Sequence, residues 1–189
     1  MSRTETIARH IRHIAWGYFL IYIHLKLNGW DVLVDFGGWY LIAKAITALK
    51  KEQSGLALLE GFAMGLGLWA FVNWLPFEWE GVLGELTGII GLVVWMVRLY
   101  FHFQLLTELS RIALRYQRQK DHAGALLRGR TAVTVTEAVL VLTTALPLGE
   151  ELLAMLSLPL MLAILGLCLY LMLQMFSLSN TLKGLKIDS

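Results

Sequence analysis

The chain has 189 residues, 57% of them hydrophobic and 16% charged, with a formal net charge of +2 and a mean hydropathy of +0.63. One small water-soluble core cannot hide that much apolar surface, so the composition excludes a soluble domain and predicts an all-α integral membrane bundle. The small positive charge gives no reason to expect nucleic acid, and a single cysteine, Cys168, excludes an internal disulfide or a multi-cysteine metal site.

A membrane-spanning helix needs about 20 mainly apolar residues. Six stretches are expected to serve, together forming a single domain over 1–189. Residues 7–27 reach full length only by including Arg9, His10, Arg12 and His13. Arg3, Arg9 and Arg12 precede the apolar run from Ile14 to Leu25, and no small-residue cleavage site follows it, so it reads as a retained anchor. Residues 30–49 contain Asp31, Asp35 and Lys44. This first pair either crosses twice or dips in and returns as a re-entrant hairpin with 28–38 as its irregular tip, covered by protein or water. Residues 56–75, 82–106 and 152–178 are each long enough alone. Residues 131–148 are shorter and carry Glu137, and Pro147, Gly149, Glu150 and Glu151 end them in a turn. Pro159 is expected to kink the last segment.

Thirteen of the sixteen Lys and Arg residues fall at 3–12, 50–51, 111–130 and 183–186, whereas the alternate turns carry Asp31, Asp35, Glu78, Glu80, Glu85, Glu150 and Glu151. Positive charge accumulates on cytoplasmic loops, so both ends of the chain are expected in the cytoplasm. The connection 107–130 has six basic and two acidic residues. It is expected to extend the fourth helix and turn near Gly124. With Leu106, Leu109, Ile112, Leu114 and Tyr116 it offers either a docking surface for a cytoplasmic partner or a patch lying against anionic headgroups. Gly61 with Gly65, and Gly84 with Gly88, form small-xxx-small pairs that let helices approach closely, and a homo-oligomer is compatible with them.

The remaining chemistry lies in ionisable groups within the segments, each costing about 2.5–3.5 kcal/mol to place in hydrocarbon. Gly91, Trp95, Arg98 and His102 share one helical face. Glu137 is the expected partner of Arg98, with Glu60 as a second carboxylate, and Lys44 completes an inner polar cluster of structural or gating role. An outer group, Asp31, Asp35, Trp39, Tyr40 and His24, is expected to line an outward pocket for a small molecule, cation or amine. No catalytic residue, metal site or cofactor is expected, since His-Glu-x-x-His, Gly-x-Ser-x-Gly and phosphate-cradling motifs are missing. Glu150 and Glu151 resemble the double glutamate of CPBP-type intramembrane proteases, but that family's downstream Arg and His have no counterparts.

The segment from Trp30 through Val34, Asp35, Phe36, Gly37 and Gly38 to Tyr40 resembles the join between the first two segments of small uncharacterised bacterial membrane proteins. There a Pro stands where this chain has Val34, and the likeness covers about the first fifty residues. It implies a multi-pass protein of the bacterial inner membrane and no particular chemistry. In size, six segments and cytoplasmic termini the chain is also similar to the substrate-binding subunits of energy-coupling-factor transporters. It lacks their Ala-x-x-x-Ala surface, having only Ala8, Ala15 and Gly17 as small residues there. The expectation is therefore a small-molecule binding or transport protein, with a membrane regulator acting through 107–130 as the alternative and an intramembrane enzyme third.

Overall fold

The computed structural model describes residues 2–22, 26–27, 30–31, 35–75, 82–116, 121–145 and 150–185. In chain order the elements are α1 (Arg3–Tyr22), a two-residue hairpin pair β1 (Lys26–Leu27) and β2 (Trp30–Asp31), α2 (Asp35–Leu49), a 3-10 turn (Ser54–Leu56), α3 (Ala57–Trp74), α4 (Val82–Tyr116), α5 (Asp121–Ala145) and α6 (Glu150–Gly184). Each helix packs on the next, and α6 packs on α1, which closes a ring of six helices.

Helix lengths divide the ring into two kinds of element. α4 and α6 have 35 residues each, about 52 Å at 1.5 Å per residue, well over the roughly 30 Å of a hydrocarbon core. α2 has 15 residues, about 22 Å, too short to cross by itself. Among the described residues, three stretches are long and apolar enough to span: Ser54–Trp74, Gly88–Tyr116 and Met155–Gly184. Arg9, His10 and Arg12 dilute α1, and Arg128, Arg130 and Glu137 dilute α5, which is why six expected spans reduce to three on length and hydropathy.

The core lies at one end of the ring. Its buried residues come from 7–21 of α1, 39–49 of α2, 56–66 at and after the 3-10 turn, 101–113 of α4, 123–133 of α5 and 168–182 of α6, while Ile89, Leu92, Val93 and Met96 of α4 and Met155, Leu158, Met161 and Leu162 of α6 are exposed. The α1/α2 hairpin covers only the former half. Ser179 Oγ donates to the Ala8 carbonyl at 2.7 Å, and Cys168 Sγ approaches the Tyr18 carbonyl at 3.8 Å. α1 starts with a capping box in which Ser2 Oγ accepts the Glu5 N–H and Glu5 Oε2 accepts the Ser2 N–H, at 3.2 and 2.9 Å.

The close approach occurs at glycines other than those expected. A Cβ on Gly17 would sit 2.8 Å from the Gly38 carbonyl and 2.5 Å from Ile42 Cγ1, and one on Gly38 would sit 2.7 Å from the Gly17 carbonyl. α1 and α2 therefore cross backbone to backbone. Gly61, Gly65 and Gly88 face open space, and the side-chain surroundings of position 84 lie outside what is described.

Two further expectations are corrected at the basic connection. α4 runs to Tyr116 as expected, but Gly124 lies inside α5 rather than at a turn, and α5 begins ten residues before the apolar stretch at Thr131. Leu106, Leu109 and Ile112 are buried in the core rather than offered to a partner, leaving Leu114 exposed at 49%. A carboxylate that the sequence reading passed over, Glu108, explains how this end is held. Fully buried, it accepts from Gln53 Nε2 at 2.7 Å, Gln104 Nε2 at 2.8 Å and Arg111 Nη1 at 2.5 Å, which fixes the α2/α3 turn to α4.

Beside it Arg3 donates to both carboxylate oxygens of Glu52, at 2.8 and 2.6 Å, and the Tyr116 hydroxyl donates at 3.0 Å. Arg3 first, then Tyr116, hold the Glu52 carboxyl below its usual range despite partial burial. A carboxyl depressed in the folded state contributes stability above its unfolded pKa and loses it as pH falls through the folded value. The melting temperature is thus expected to fall between about pH 5 and pH 3 by more in the parent protein than in Glu52→Gln. Parallel pH profiles for the two proteins would remove this contribution.

Candidate functional site

Where α1, α2, α4 and α5 face one another, a polar centre forms from residues far apart in the chain. Tyr18 and Tyr22 are four apart on α1 and so stack on one face, with ring centroids 5.9 Å apart. His102 lies between their hydroxyls, with Nδ1 2.7 Å from Tyr18 and Nε2 3.2 Å from Tyr22. The Tyr22 hydroxyl donates to Glu137 Oε1 at 2.6 Å. Because that proton is committed to the carboxylate, a neutral His102 carries its proton on Nε2, donates it to Tyr22, and accepts from Tyr18 on Nδ1. The result is a one-directional chain of hydrogen bonds ending on Glu137.

Arg98, one helical turn before His102, places Nη2 3.5 Å from the same Glu137 oxygen and its guanidinium carbon 5.0 Å from the centre of the Tyr22 ring. At that distance the pair is electrostatic rather than a short hydrogen bond. Asp35, at the start of α2, also attracts Arg98 electrostatically. The Trp39 ring, 4% exposed, completes the wall at 5.2 Å from Phe101 and 5.9 Å from His102. Glu137 Oε2 and Arg98 Nε are both buried without a hydrogen-bond partner, while 35% of the Arg98 side chain stays accessible.

The predicted groups are thus rearranged. Arg98, His102 and Glu137 meet as expected, and Asp35 and Trp39, assigned to a separate outer pocket, join them. Tyr40 does not, since it projects outward at 66% exposure. Glu60 is not a second partner of Arg98. It accepts from Thr47 at 2.8 Å and pairs with Lys50 at 2.5 Å, both at the α2/α3 turn that its position early in α3 brings close. Lys44 is on the exposed face of α2. His24 lies outside the described residues, and Asp31 is placed in β2 with its side chain undescribed. Tyr18 and Tyr22 were missed, although their four-residue spacing put them on one face of the first helix. Among the described residues no group of three His, Cys, Asp or Glu is placed to hold a metal.

Chemically, one guanidinium faces two carboxylates, Asp35 and Glu137, inside an aromatic wall. That is an excess of one negative charge next to the faces of Tyr22, Trp39 and His102. Such surroundings favour a cation, through the carboxylates and through the ring quadrupoles. Comparison with protein-family models, with curated proteins and with solved structures gave no match to this chain.

Proposed function

We propose that the protein binds a small cation or protonated amine within the membrane, at the centre formed by Asp35, Arg98 and Glu137, as part of a transport process. The observation that carries this reading is the buried, unpartnered Glu137 Oε2, beside an accessible Arg98 that two carboxylates attract. A buried carboxylate oxygen without a donor costs free energy unless something donates to it, and an amine or hydrated cation supplies that donor. The aromatic residues exclude water and select for positive charge, and the hydrogen-bonded chain from Tyr18 through His102 and Tyr22 holds the other Glu137 oxygen in place. In this reading the protein is a multi-pass protein of a bacterial inner membrane with both ends cytoplasmic, and the α1/α2 hairpin enters from the cytoplasmic side, covers the centre and returns. The regulator reading is weaker because the apolar residues of 107–113 are spent in the core.

The test is a thermal-shift series of the purified protein with inorganic cations, polyamines and amine metabolites. At least one compound is expected to raise the melting temperature of the parent protein, with the shift lost in Asp35→Asn and reduced in Glu137→Gln. If no member stabilises the parent, or if Asp35→Asn responds like the parent, the centre is not a ligand site.

A further inference from the structure

At the end of the ring where α1 begins and α6 stops, a recess of about 370 Å³ is lined by Glu5, Arg9, Arg12 and Lys183. The α1 residues are spaced i, i+4 and i+7, so they lie on one stripe, and Trp16 continues it at i+11. Three cations face one carboxylate, and that carboxylate is already engaged by the Ser2 N–H at 2.9 Å. None of the three cations has an ion-pair partner among the described residues, and Arg12 Nε is buried without a hydrogen bond. The recess therefore offers uncompensated positive charge, with an unused donor on one of its lining residues.

What adjoins it narrows the choice of anion. Trp16, 45% exposed, packs edge-on against Phe176 of α6 at 5.7 Å. Below them Leu173 and Leu169, 62% and 38% exposed, continue the same α6 face that carries Lys183. A basic recess leads directly onto an aromatic step and then an apolar strip, which is the order of chemistry along a phospholipid. We infer that α1 and α6 bind the headgroup of an anionic phospholipid, with its phosphate among Arg9, Arg12 and Lys183 and one acyl chain against Trp16, Phe176 and Leu173. Cationic recesses between membrane helices hold acidic lipid headgroups by this combination, and Trp takes the interfacial depth.

The experiment uses the full-length protein in neutral detergent micelles, with bound lipid read by native mass spectrometry and stability by thermal melting. Dioleoyl phosphatidylglycerol is expected to remain bound and raise the melting temperature, while dioleoyl phosphatidylcholine, glycerol phosphate and inorganic phosphate do neither. Each cation near an anionic surface contributes a factor of about five, so Arg9→Gln/Arg12→Gln/Lys183→Gln should weaken phosphatidylglycerol binding more than tenfold. Lys51→Gln/Arg128→Gln, which removes charge elsewhere, should leave it unchanged. Trp16→Ser should weaken phosphatidylglycerol without altering the response to inorganic phosphate. Equal retention of phosphatidylcholine, or of phosphatidylglycerol by the triple variant, overturns the site. Equal stabilisation by inorganic phosphate, with Trp16→Ser indifferent, makes it a free-phosphate site and overturns the lipid. Should the triple variant not fold, Arg9→Gln and Lys183→Gln singly, both at exposed positions, carry the same comparison.

Discussion

Glu137→Ala is expected to cost about 1–3 kcal/mol of stability, among the largest losses any single substitution in this chain should produce. Two groups lose a partner together: the Tyr22 hydroxyl, which donates at 2.6 Å, and the Arg98 guanidinium; His102, which Tyr22 helps to place, keeps both its tyrosines. Asp35 still attracts Arg98 in this variant, so the dominant penalty is the Tyr22 hydroxyl left without its acceptor, and removing Arg98 as well strips Asp35 of its cation. Arg98→Met/Glu137→Leu, which leaves Asp35 without its cation, is expected to be no more stable than Glu137→Ala and to abolish any cation response. The measurement is the unfolding midpoint in a denaturing detergent titration for both singles and the double, with Val139→Ala on the exposed face of α5 as reference. A Glu137→Ala midpoint no lower than the reference would remove the centre from the list of things holding the bundle together.

Gly17→Ala and Gly38→Ala carry the second large effect. A methyl at either position must enter space occupied by the opposing backbone, at 2.8 Å and 2.7 Å from carbonyl oxygens that cannot rotate away. Overpacking of this kind costs about 1–3 kcal/mol, and valine at either position should cost more. Gly61→Ala and Gly65→Ala have open space around them and should instead gain up to about 0.5–1 kcal/mol through reduced backbone entropy. Melting all four variants in one detergent gives the ordering directly. Losses at 61 and 65 with a change in oligomeric state would mark α3 as the contact between copies.

The long apolar runs made α3, α4 and α6 readable, because hydrocarbon thickness imposes a length that composition reports. Boundaries fared worse where helices leave the apolar zone: α5 starts at Asp121 because helical hydrogen bonding continues through a basic stretch that hydropathy alone excludes. Arg98 and Glu137 could be paired in advance, since a charge in a span requires a neutralising neighbour and Glu137 was the nearest in depth. Asp35 could not be joined to them, since 63 positions separate it from Arg98 and no periodicity encodes that meeting. Glu60 misled for the opposite reason, as its neutralising Lys50 lies only ten residues away, across a turn. Tyr18 and Tyr22 were hidden by being apolar enough to pass as anchor residues.

Cys168 is the only cysteine and is buried against the Tyr18 carbonyl, at the seam where α6 closes the ring onto α1. A membrane-permeant thiol reagent can reach it only when that seam parts. The unmodified chain consequently contains its own clock for ring opening: the ratio of its alkylation rate to that of the denatured protein gives the fraction of time the seam is open, without an introduced probe.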